Sequence, residues 1–475
     1  MALTNKLTAI GDAIRAKTGK TDLISLDQMP VEIESIQGGG GGGATPSAKW
    51  NDVTFIDYDG AVLYSYSLEE VQSLTELPTL PTHDGLVCQG WNWTLESIKS
   101  FNYPVIVGAM YITDDGATRL HIRITTTGRM TVPLCINQTV SNGVSIDWGD
   151  GSVPNTLVGT GNRSINHTYS EPGDYVVSLM PEDECTLSLG PGKSSLCVMG
   201  SNENNGRVYC NMLRDVYIGK NVTSISAYAF QHCYSLASIT IPDGVTSIST
   251  YAFQYCYSLA SITIPNGVTS ILGYAFSNCN SLASITIPAG VTSIKGNAFQ
   301  FCSSLASITI PDGVTSIGNN AFQSCSSLAS ITIPDGVTSI GGTVFSNCYS
   351  LASVTIPDGV TSIGGTAFQN CNSLASITIP NGVTSISASA FQNCYSLASI
   401  TIPGGVTSIK GNAFSNCYGI CYYDFSACTA VPALSNTSAF SSIPSDCQML
   451  IPSTLYDEWS AATNWVGYVN YMVAV

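Results

Sequence analysis

The residues best suited to recognition chemistry are tyrosines and asparagines that recur at a spacing of 23 positions. Tyrosine offers a ring and a hydroxyl group, and asparagine offers an amide donor and acceptor, a mixture that favours adaptable binding. Drift among small polar residues at solvent-facing turns is the alternative explanation. The candidate ligand-binding residues are Tyr228, Tyr234, Tyr251, Tyr255, Tyr257, Tyr274, Asn297, Asn320, Tyr349 and Tyr395.

Catalytic and metal-binding chemistry has weaker support. Acidic residues between positions 50 and 116, together with Trp91 and Trp93, could suggest glycoside cleavage, but carboxylates at turns and helix caps are the usual explanation. No C-x-x-C pair, Cys/His group or Ser/His/Asp set is present. We therefore predict no enzyme activity, no metal site and no cofactor. The only histidines are His83, His121, His167 and His232.

The elements that position the candidate residues belong to a 23-residue unit that recurs nine times between Arg207 and Ile420. A fixed period of this size predicts a solenoid. Each copy carries Leu-x-x-Ile-x-Ile-Pro, which predicts a short strand, and then an Ala-Phe pair with Cys three residues after the Phe. We expect these cysteines to be buried, reduced and apolar in character. Bridges remain open among Cys417, Cys421, Cys428 and Cys447.

Comparison of the copies separates a constant interior from one variable edge. The strand positions Ser238 and Thr240 recur without change and form ladders, which could alternatively order water or ice. The array is formally neutral, which suits an uncharged glycan or a protein better than a phosphate polymer. The repeat pattern resembles the BspA-like class of bacterial leucine-rich repeats.

The N-terminal segment predicts an amphipathic helical module. Leu3, Leu7, Ile10 and Ile14 form one apolar stripe, and a second helix is expected from Asp27. The pair could fold on itself as a hairpin or dock against sister copies. The segments 7–19 and 26–36 resemble an N-terminal module of phage tail and fibre proteins. That resemblance implies attachment to a virion.

Residues 117–200 are predicted to form a β-sandwich. The segments Trp148-Gly-Asp-Gly-Ser and His167-Thr-Tyr, followed by Pro172-Gly-Asp-Tyr, resemble the PKD family of immunoglobulin-like domains. The resemblance implies a spacer in an extracellular or virion-surface protein. We expect His167 to be structural. Asp147 and Asp150 could hold a cation, although turn capping is the simpler explanation.

Two further regions of the sequence contain local patterns that predict strands and helices. Residues 50–116 predict a small α+β spacer with a strand from Val53, a helix near 67–73 that starts at Ser67, and aromatic residues near the surface at 88–93. After Tyr418 the period breaks. A strand at Ile451 and a helix capped by Ser453 or Thr454, with Leu455, Trp459 and Ala462 apolar, predict a C-terminal cap.

The net charge and the hydropathy of the sequence limit the classes of binding partner. The formal net charge of −16 disfavours nucleic acid, and no apolar run is long enough to predict membrane insertion. The N-terminus lacks the apolar segment of a secretory signal, so we expect synthesis in a host cytoplasm and release by a route other than Sec export. The expected location is the virion tail, with the bacterial cell surface as the alternative.

The predicted fold is multidomain and mainly β, and the leading hypothesis is a phage tail fibre that binds a host-surface glycan or protein. The N-terminal module would contact tail or baseplate proteins, in a homo-oligomer that we suspect to be a trimer. A bacterial cell-surface adhesin is the alternative. The predicted divisions are a helical module (1–37), a Gly-rich linker (38–49), an α+β spacer (50–116), a PKD-like sandwich (117–200), a leucine-rich-repeat solenoid (207–420) and a cap (421–475).

Overall fold

The computed structural model divides the chain into two compact units, Met1–Asp115 and Gly116–Val475. It describes residues 53–56, 62–81, 87–91, 95–100, 105–112, 116–125, 130–138, 143–182, 185–190, 192, 196–201 and 207–475. The predicted helical module and the Gly-rich linker lie outside the described residues.

The first unit contains a four-stranded sheet with the order β2-β1-β4-β3. Its strands are β1 (Val53–Ile56), β2 (Val62–Tyr66), β3 (Val87–Trp91) and β4 (Val105–Ile112), and its helices are α1 (Leu68–Ser73) and α2 (Leu95–Ser100). Strand β1 runs antiparallel to β2 and parallel to β4. The buried core consists of Val53, Phe55, Val71, Trp91, Ile98 and Val107.

Helix α1 begins where the sequence predicts. The Ser67 hydroxyl accepts a hydrogen bond from the Glu70 backbone N–H, and the Glu70 carboxylate accepts one from the Ser67 N–H, so both halves of a capping box are present. The predicted surface position of Trp91 is wrong, because this residue is buried against Phe55 and its ring nitrogen donates to the Pro78 carbonyl. Trp91 is therefore a core residue and does not line an exposed aromatic surface.

The second unit starts with two sheets whose buried side chains share one core. One sheet has the order β16-β14-β5-β10-β7-β8, and the other has the order β17-β15-β11-β6-β9. A separate two-stranded pair, β12 and β13, and helix α3 follow β11. The bounds are β5 (Thr118–Ile124), β6 (Thr131–Gln138), β7 (Val144–Asp147), β8 (Asn155–Leu157), β9 (Gly161–Thr168), β10 (Gly173–Pro181), β11 (Leu187–Leu189), β12 (Leu196–Cys197), β13 (Gly200–Ser201), α3 (Arg207–Cys210), β14 (Leu213–Tyr217), β15 (Val222–Ile225), β16 (Ser238–Thr240) and β17 (Ser247–Ile248).

The sandwich continues directly into the repeats. Strand β14 pairs antiparallel with β5 and parallel with β16, and β15 pairs in parallel with both β11 and β17. One core cluster extends from Leu120 to Met472. The division drawn between residues 200 and 207 therefore does not separate two cores, and the sandwich covers the open N-terminal end of the solenoid.

The repeats contribute short strands to two parallel ladders. In the Ser-Ile-Thr strands at 261–263 and 284–286 the Ile side chain is buried and the Ser and Thr side chains are exposed. Beyond β16 the first ladder continues through Ser261–Thr263, Ser284–Thr286, Ser330–Thr332, Ser353–Thr355 and Ser399–Thr401, and Val354 replaces the Ile in the fourth of these. The copy at 307–309 forms only an isolated bridge between Thr309 and Thr286, and the copy at 376–378 forms no strand. Beyond β17 the second ladder continues through Ser270–Ile271, Ser293–Ile294, Ser316–Ile317, Ser339–Ile340, Ser362–Ile363, Ser385–Ile386 and Ser408–Ile409.

The solenoid interior repeats from coil to coil because every copy places the same side chain at the same height. Successive Phe rings from Phe230 to Phe440 stack with centroid separations of 5.2 to 5.7 Å. Aromatic pairs of this kind add about 0.5–1.5 kcal/mol each beyond their burial. Stacking of the Phe rings therefore stabilises the solenoid along its whole length.

The repeat cysteines are buried free thiols, as predicted, and they also donate hydrogen bonds. From Cys256 to Cys417, each Sγ donates to the carbonyl of the Phe in the preceding coil at 3.2 Å. Burial raises the pKa of Cys302 and of Cys348 to about 12, so the protonated donor form is retained at neutral pH. Cys428 and Cys447 are buried free thiols and Cys421 is an exposed one.

The coiling continues past Tyr418. Strands Tyr422–Asp424, Gln448–Ile451 and Met472–Ala474 extend the first ladder, and Ala433–Leu434 extends the second. Phe440 stacks on Phe414, so the Ala-Phe pair at 439–440 is a degenerate repeat signal that the sequence analysis missed.

The C-terminal helix closes this end. Helix α4 (Tyr456–Ala461) follows a 3-10 turn, Ser453–Leu455, and a second 3-10 helix, Val466–Tyr471, precedes the last strand. The predicted cap at Ser453 or Thr454 is wrong, since neither turn nor helix has a side-chain cap bond there. Trp459 and Trp465 are fully buried, and the Trp465 ring nitrogen donates to the Pro432 carbonyl at 2.8 Å. Burial of these two rings covers the last core layer.

None of the helices in the described part of the chain has the length and apolar character that spanning a bilayer requires.

Candidate ligand-binding edge

Two backbone positions in every repeat have left-handed conformation. At the first, φ lies between 54° and 65°, and at the second between 60° and 64°. We call these column 1 and column 2. Column 1 contains Tyr228, Tyr251, Tyr274, Asn297, Asn320, Thr343, Thr366, Ser389 and Asn412. Column 2 contains His232, Tyr255, Asn278, Phe301, Ser324, Asn347, Asn370, Asn393 and Asn416.

The left-handed turns join neighbouring coils. The Tyr228 N–H donates to the Thr250 carbonyl at 3.2 Å, and the His232 N–H donates to the Gln254 carbonyl at 2.9 Å. Left-handed backbone costs an L-residue with a Cβ about 1–2 kcal/mol, and Asn tolerates it best among residues other than Gly. The variable edge predicted from the sequence is therefore conformationally constrained, which the comparison of copies alone could not show.

A third column, column 3, lies two residues after column 2 and immediately follows each Cys. Its tyrosines are the most exposed of the candidates: Tyr257 is 39% exposed, Tyr349 47% and Tyr395 42%. Tyr234 is partly buried, and its hydroxyl lies 3.0 Å from His232 Nδ1. Tyr255 and Tyr257 meet edge to face at 6.0 Å, so columns 2 and 3 form one surface.

The tyrosines of successive coils stack upon one another. In column 1 the rings of Tyr228, Tyr251 and Tyr274 are 4.9 and 4.7 Å apart. His232 stacks on Tyr255 at 4.7 Å, and Tyr234 on Tyr257 at 4.9 Å. The coil spacing matches the stacking distance of aromatic rings. Ring faces within these stacks are covered by their neighbours, so the stacks present ring edges and hydroxyl groups.

Phe301 is an exposed aromatic residue of column 2 that takes no part in the stacks, and the sequence did not single it out as a candidate ligand-binding residue. It has left-handed backbone with φ of 61°, and its side chain is 43% exposed. The column 2 residues above and below it are Asn278 and Ser324, so no ring stacks on either face. This arrangement is unfavourable for two reasons: positive φ is strained for a bulky residue, and an apolar ring is exposed to water. The sequence does mark this residue: between residues 207 and 420, Phe301 is the single Phe that does not belong to the Phe ladder.

The C-terminal half of column 2 is an amide ladder. Each Asn Nδ2 donates to the Oδ1 of the Asn one coil earlier, at 2.6 Å from Asn370 and from Asn393 and at 2.8 Å from Asn416. In column 1, Thr343 and Thr366 share a 2.8 Å hydroxyl contact. Asn297 and Asn320 are partly buried and continue column 1 after the tyrosine stack. Tyr395 stacks on Tyr418 at 5.6 Å, a second exposed tyrosine that was not among the candidates.

The histidine and aspartates of the sandwich form a structural network. His167 stacks on Trp148 and its Nε2 lies 2.7 Å from Asp150 Oδ2. Asp147 and Asp150 each accept a backbone N–H two residues on, which confirms turn capping. Desolvation alone would raise the pKa of Asp150, but hydrogen bonds from Ser152 and His167 outweigh it and lower that pKa. These groups are engaged in holding the turn.

Comparison with known proteins places the repeats in a family. The family described as BspA type Leucine rich repeat region matches residues 206–329 and 292–421. A leucine-rich cell surface protein from Faecalibacterium prausnitzii is 31% identical, over 57% of this chain and 86% of that one, with a TM-score of 0.36. Through this region the chain belongs to the BspA-type leucine-rich repeat family. No curated protein matches it.

Further solved structures similar to this BspA-type chain are leucine-rich repeat proteins. One from Bacteroides ovatus is 23% identical over 56% of this chain and 85% of its own, with a TM-score of 0.34. One from T. pallidum is 27% identical over 43% and 83%, with a TM-score of 0.28.

Proposed function

We propose that this BspA-type protein is a bacterial cell-surface adhesin whose repeats bind a neutral glycan through columns 2 and 3. The observation that carries the proposal is Phe301, an exposed apolar ring on left-handed backbone in column 2, where Asn would cost less. Two other column 2 positions in the first coils are also aromatic, His232 and Tyr255, and these two stack on each other. Drift predicts small residues tolerant of left-handed backbone, so the aromatic residues favour selection for binding.

The chemistry of the surface favours a sugar. The exposed ring of Phe301 offers an apolar surface for the apolar side of a pyranose, and Ser303, Ser324 and Asn278 place hydroxyl and amide groups at neighbouring positions of columns 2 and 3. Tyr257 and Tyr349 add exposed rings and hydroxyls in column 3. The formal charges of the repeats balance, so an uncharged ligand needs no counter-charge. A protein ligand is the alternative outcome of the test.

The tail-fibre hypothesis has no comparable support. It rests on residues 1–37, which lie outside the described residues. The docking of that module to a larger assembly and its trimerisation remain proposals. The cell-surface location is stated for the Faecalibacterium prausnitzii relative, and we extend it to this chain as part of the proposal.

The binding test uses substitutions that the chain itself makes elsewhere in the same column. We expect Phe301→Asn, Tyr257→Ser and Tyr349→Ser together to weaken saturable binding to whole cells at least tenfold. Phe301→Asn alone should raise the melting temperature slightly, because Asn suits left-handed backbone. Asp312→Asn, on the opposite turn and matching Asn266, is the control that keeps binding.

The target is identified by treating the cells. Periodate, which cleaves sugar diols, should abolish binding, whereas proteinase treatment should leave it. The reverse pattern identifies a protein ligand, and unchanged binding by the triple variant contradicts the role of the edge. Gold-labelled antibody to the repeats should mark the envelopes of the bacterium that produces the chain; label confined to virion tails would contradict the cell-surface location.

A further inference from the structure

Three cysteines meet where the sandwich joins the first coil. Cys197 ends β12, Cys210 ends α3, and Cys233 is the first thiol of the repeats. All three are fully buried, and their sulfur atoms lie within 4.8 Å of one another. The sulfurs of Cys197 and Cys210 are 2.6 Å apart. These residues come from separate elements, so the fold and not a local motif brings them together.

The repeat pattern accounts for only part of this cluster. From Cys256 onward each thiol donates to a Phe carbonyl in the coil before it. Cys233 precedes that series, and Cys210 lies 23 residues before Cys233, at the same position one period earlier. Cys197, from β12, is the thiol that the repeats do not supply.

The distances favour a covalent bond over a metal. Two intact thiols at 2.6 Å lie well inside van der Waals contact, whereas a disulfide requires about 2.05 Å. Two thiolates on one Zn²⁺ are held about 3.8 Å apart by tetrahedral geometry with Zn–S bonds of about 2.3 Å. A metal bound by three thiolates would also leave net negative charge among buried apolar side chains, while a disulfide is neutral.

We propose that Cys197 and Cys210 form a disulfide that fastens the segment between them over the first coil of the solenoid. Two S–H bonds break and one S–S bond forms, with release of two protons and two electrons. A small-molecule disulfide is the oxidant, and its own S–S bond is reduced to two thiols. Exchange proceeds through a mixed disulfide, before the sandwich closes over the site. Cys233 remains a free thiol.

In the closed site, hydrogen bonds from Cys197 and then Cys233 lower the pKa of Cys210, whereas burial raises the pKa of Cys197 and of Cys233. The pair is thus in close contact and no longer exposed to solvent oxidants once the site has closed. The proposal does not depend on the ligand of the repeats, so failure of one leaves the other standing.

The test is a thiol count on the full chain, refolded with oxidised and reduced glutathione and then alkylated in denaturant. We expect 15 of the 17 cysteines to be alkylated without prior reduction, and all 17 after reduction. Trypsin should give one linked pair, residues 194–207 with residues 208–214, because Lys193, Arg207 and Arg214 flank the two cysteines.

Variants separate this pair from the third thiol. Cys233→Ala should retain the linked peptides, and Cys210→Ala should lose them. Reduction should lower the melting temperature of the wild type and leave that of Cys210→Ala unchanged. Alkylation of all 17 cysteines without reduction, a different linked pair, or one bound zinc per chain with no linked peptides would each overturn the proposal. Peptide mapping of the wild type decides the matter even if a variant fails to fold.

Discussion

At the scale of single residues, the left-handed columns show how repetition changes what a side chain costs. An isolated Tyr or Thr on left-handed backbone is unfavourable, yet in column 1 each of these residues has an identical neighbour one coil away. Tyr228 and Tyr251 offset the cost by stacking, and Thr343 and Thr366 by a shared hydroxyl contact. Asn370 combines a tolerant backbone with two ladder hydrogen bonds. Phe301 has neither compensation, which is why the proposed function assigns it to the ligand-binding surface.

The Asn ladder gives a quantitative prediction. Asn370→Ala should destabilise the repeats by about 2–3 kcal/mol, because it adds the left-handed strain of about 1 kcal/mol or more and removes two hydrogen bonds worth about 1 kcal/mol each. Asn370→Gly removes the same bonds without the strain, so its cost should be smaller. Urea denaturation followed by circular dichroism measures both. Equal losses in the two variants would show that backbone conformation contributes nothing.

At the scale of elements, the junction between sandwich and solenoid controls one end of the core. His121 on β5 faces Asp215 on β14, with Nδ1 3.3 Å from the carboxylate, and Ser238 on β16 donates to the same Asp at 2.7 Å. These contacts join the sandwich and the first coil through side chains as well as through backbone pairing. The carboxylate of Asp215 therefore interacts with side chains of both the sandwich and the first coil.

The sequence predicted the strands of this region but not their partners. Alternation around Leu120 and around Val216 indicates two strands, yet nothing local states that residues so distant in sequence pair in one sheet. The repeats were predictable in detail because each copy specifies its own neighbour. The left-handed columns were not, because the recurring Asn is a weak signal when Tyr and Thr occupy the same places. The tyrosine edge was found, but its covered ring faces follow only from the coil spacing.

The junction should be the acid-sensitive part of the second unit. A hydrogen bond from His121 lowers the pKa of Asp215, one from Arg123 lowers the pKa of Asp174, and the pKa of Asp150 is also lowered. For carboxyls with lowered folded-state pKa, the stabilisation is complete above the unfolded value of about 4 and is lost as pH falls through the folded value. Below about pH 4, residues 116–225 should lose hydrogen-exchange protection before residues 260–400.

The control for acid sensitivity is Asp215→Asn. It should lower the stability of the junction at neutral pH and weaken its dependence on pH below about 4, because the titrating group is gone. Exchange rates are normalised to the unfolded chain at each pH. Simultaneous loss of protection in the sandwich and in the middle repeats would contradict a junction that opens first.

At the scale of the whole second unit, stability arises from contacts between adjacent coils. Each coil places its Phe, Cys and Leu against the same residues of the next coil, and the sandwich and the C-terminal tryptophans cover the two ends. Such an array behaves as a sum of unit and neighbour contributions. Adding or removing a whole 23-residue coil then leaves the type of contact between coils unchanged. Adding or removing part of a coil places strand positions against turns and so disrupts the strand, Phe and Cys ladders.

Deletion of one complete unit tests this view. Without residues 305–327, Phe299 should stack on Phe345, and the melting temperature should stay within about 5 °C of the wild type, because the ladders re-form and the loss is limited to a few side-chain hydrogen bonds. Those lost bonds include Gln300–Gln323, Ser326–Ser303 and Asn319–Gly342. Deletion of 305–316, half a coil, removes fewer residues but places strand positions against turns. That shorter deletion should abolish cooperative unfolding by calorimetry. If the two deletions proved equally harmful, the coils would not be interchangeable, and the aromatic coils near Phe301 would have to contribute contacts of their own.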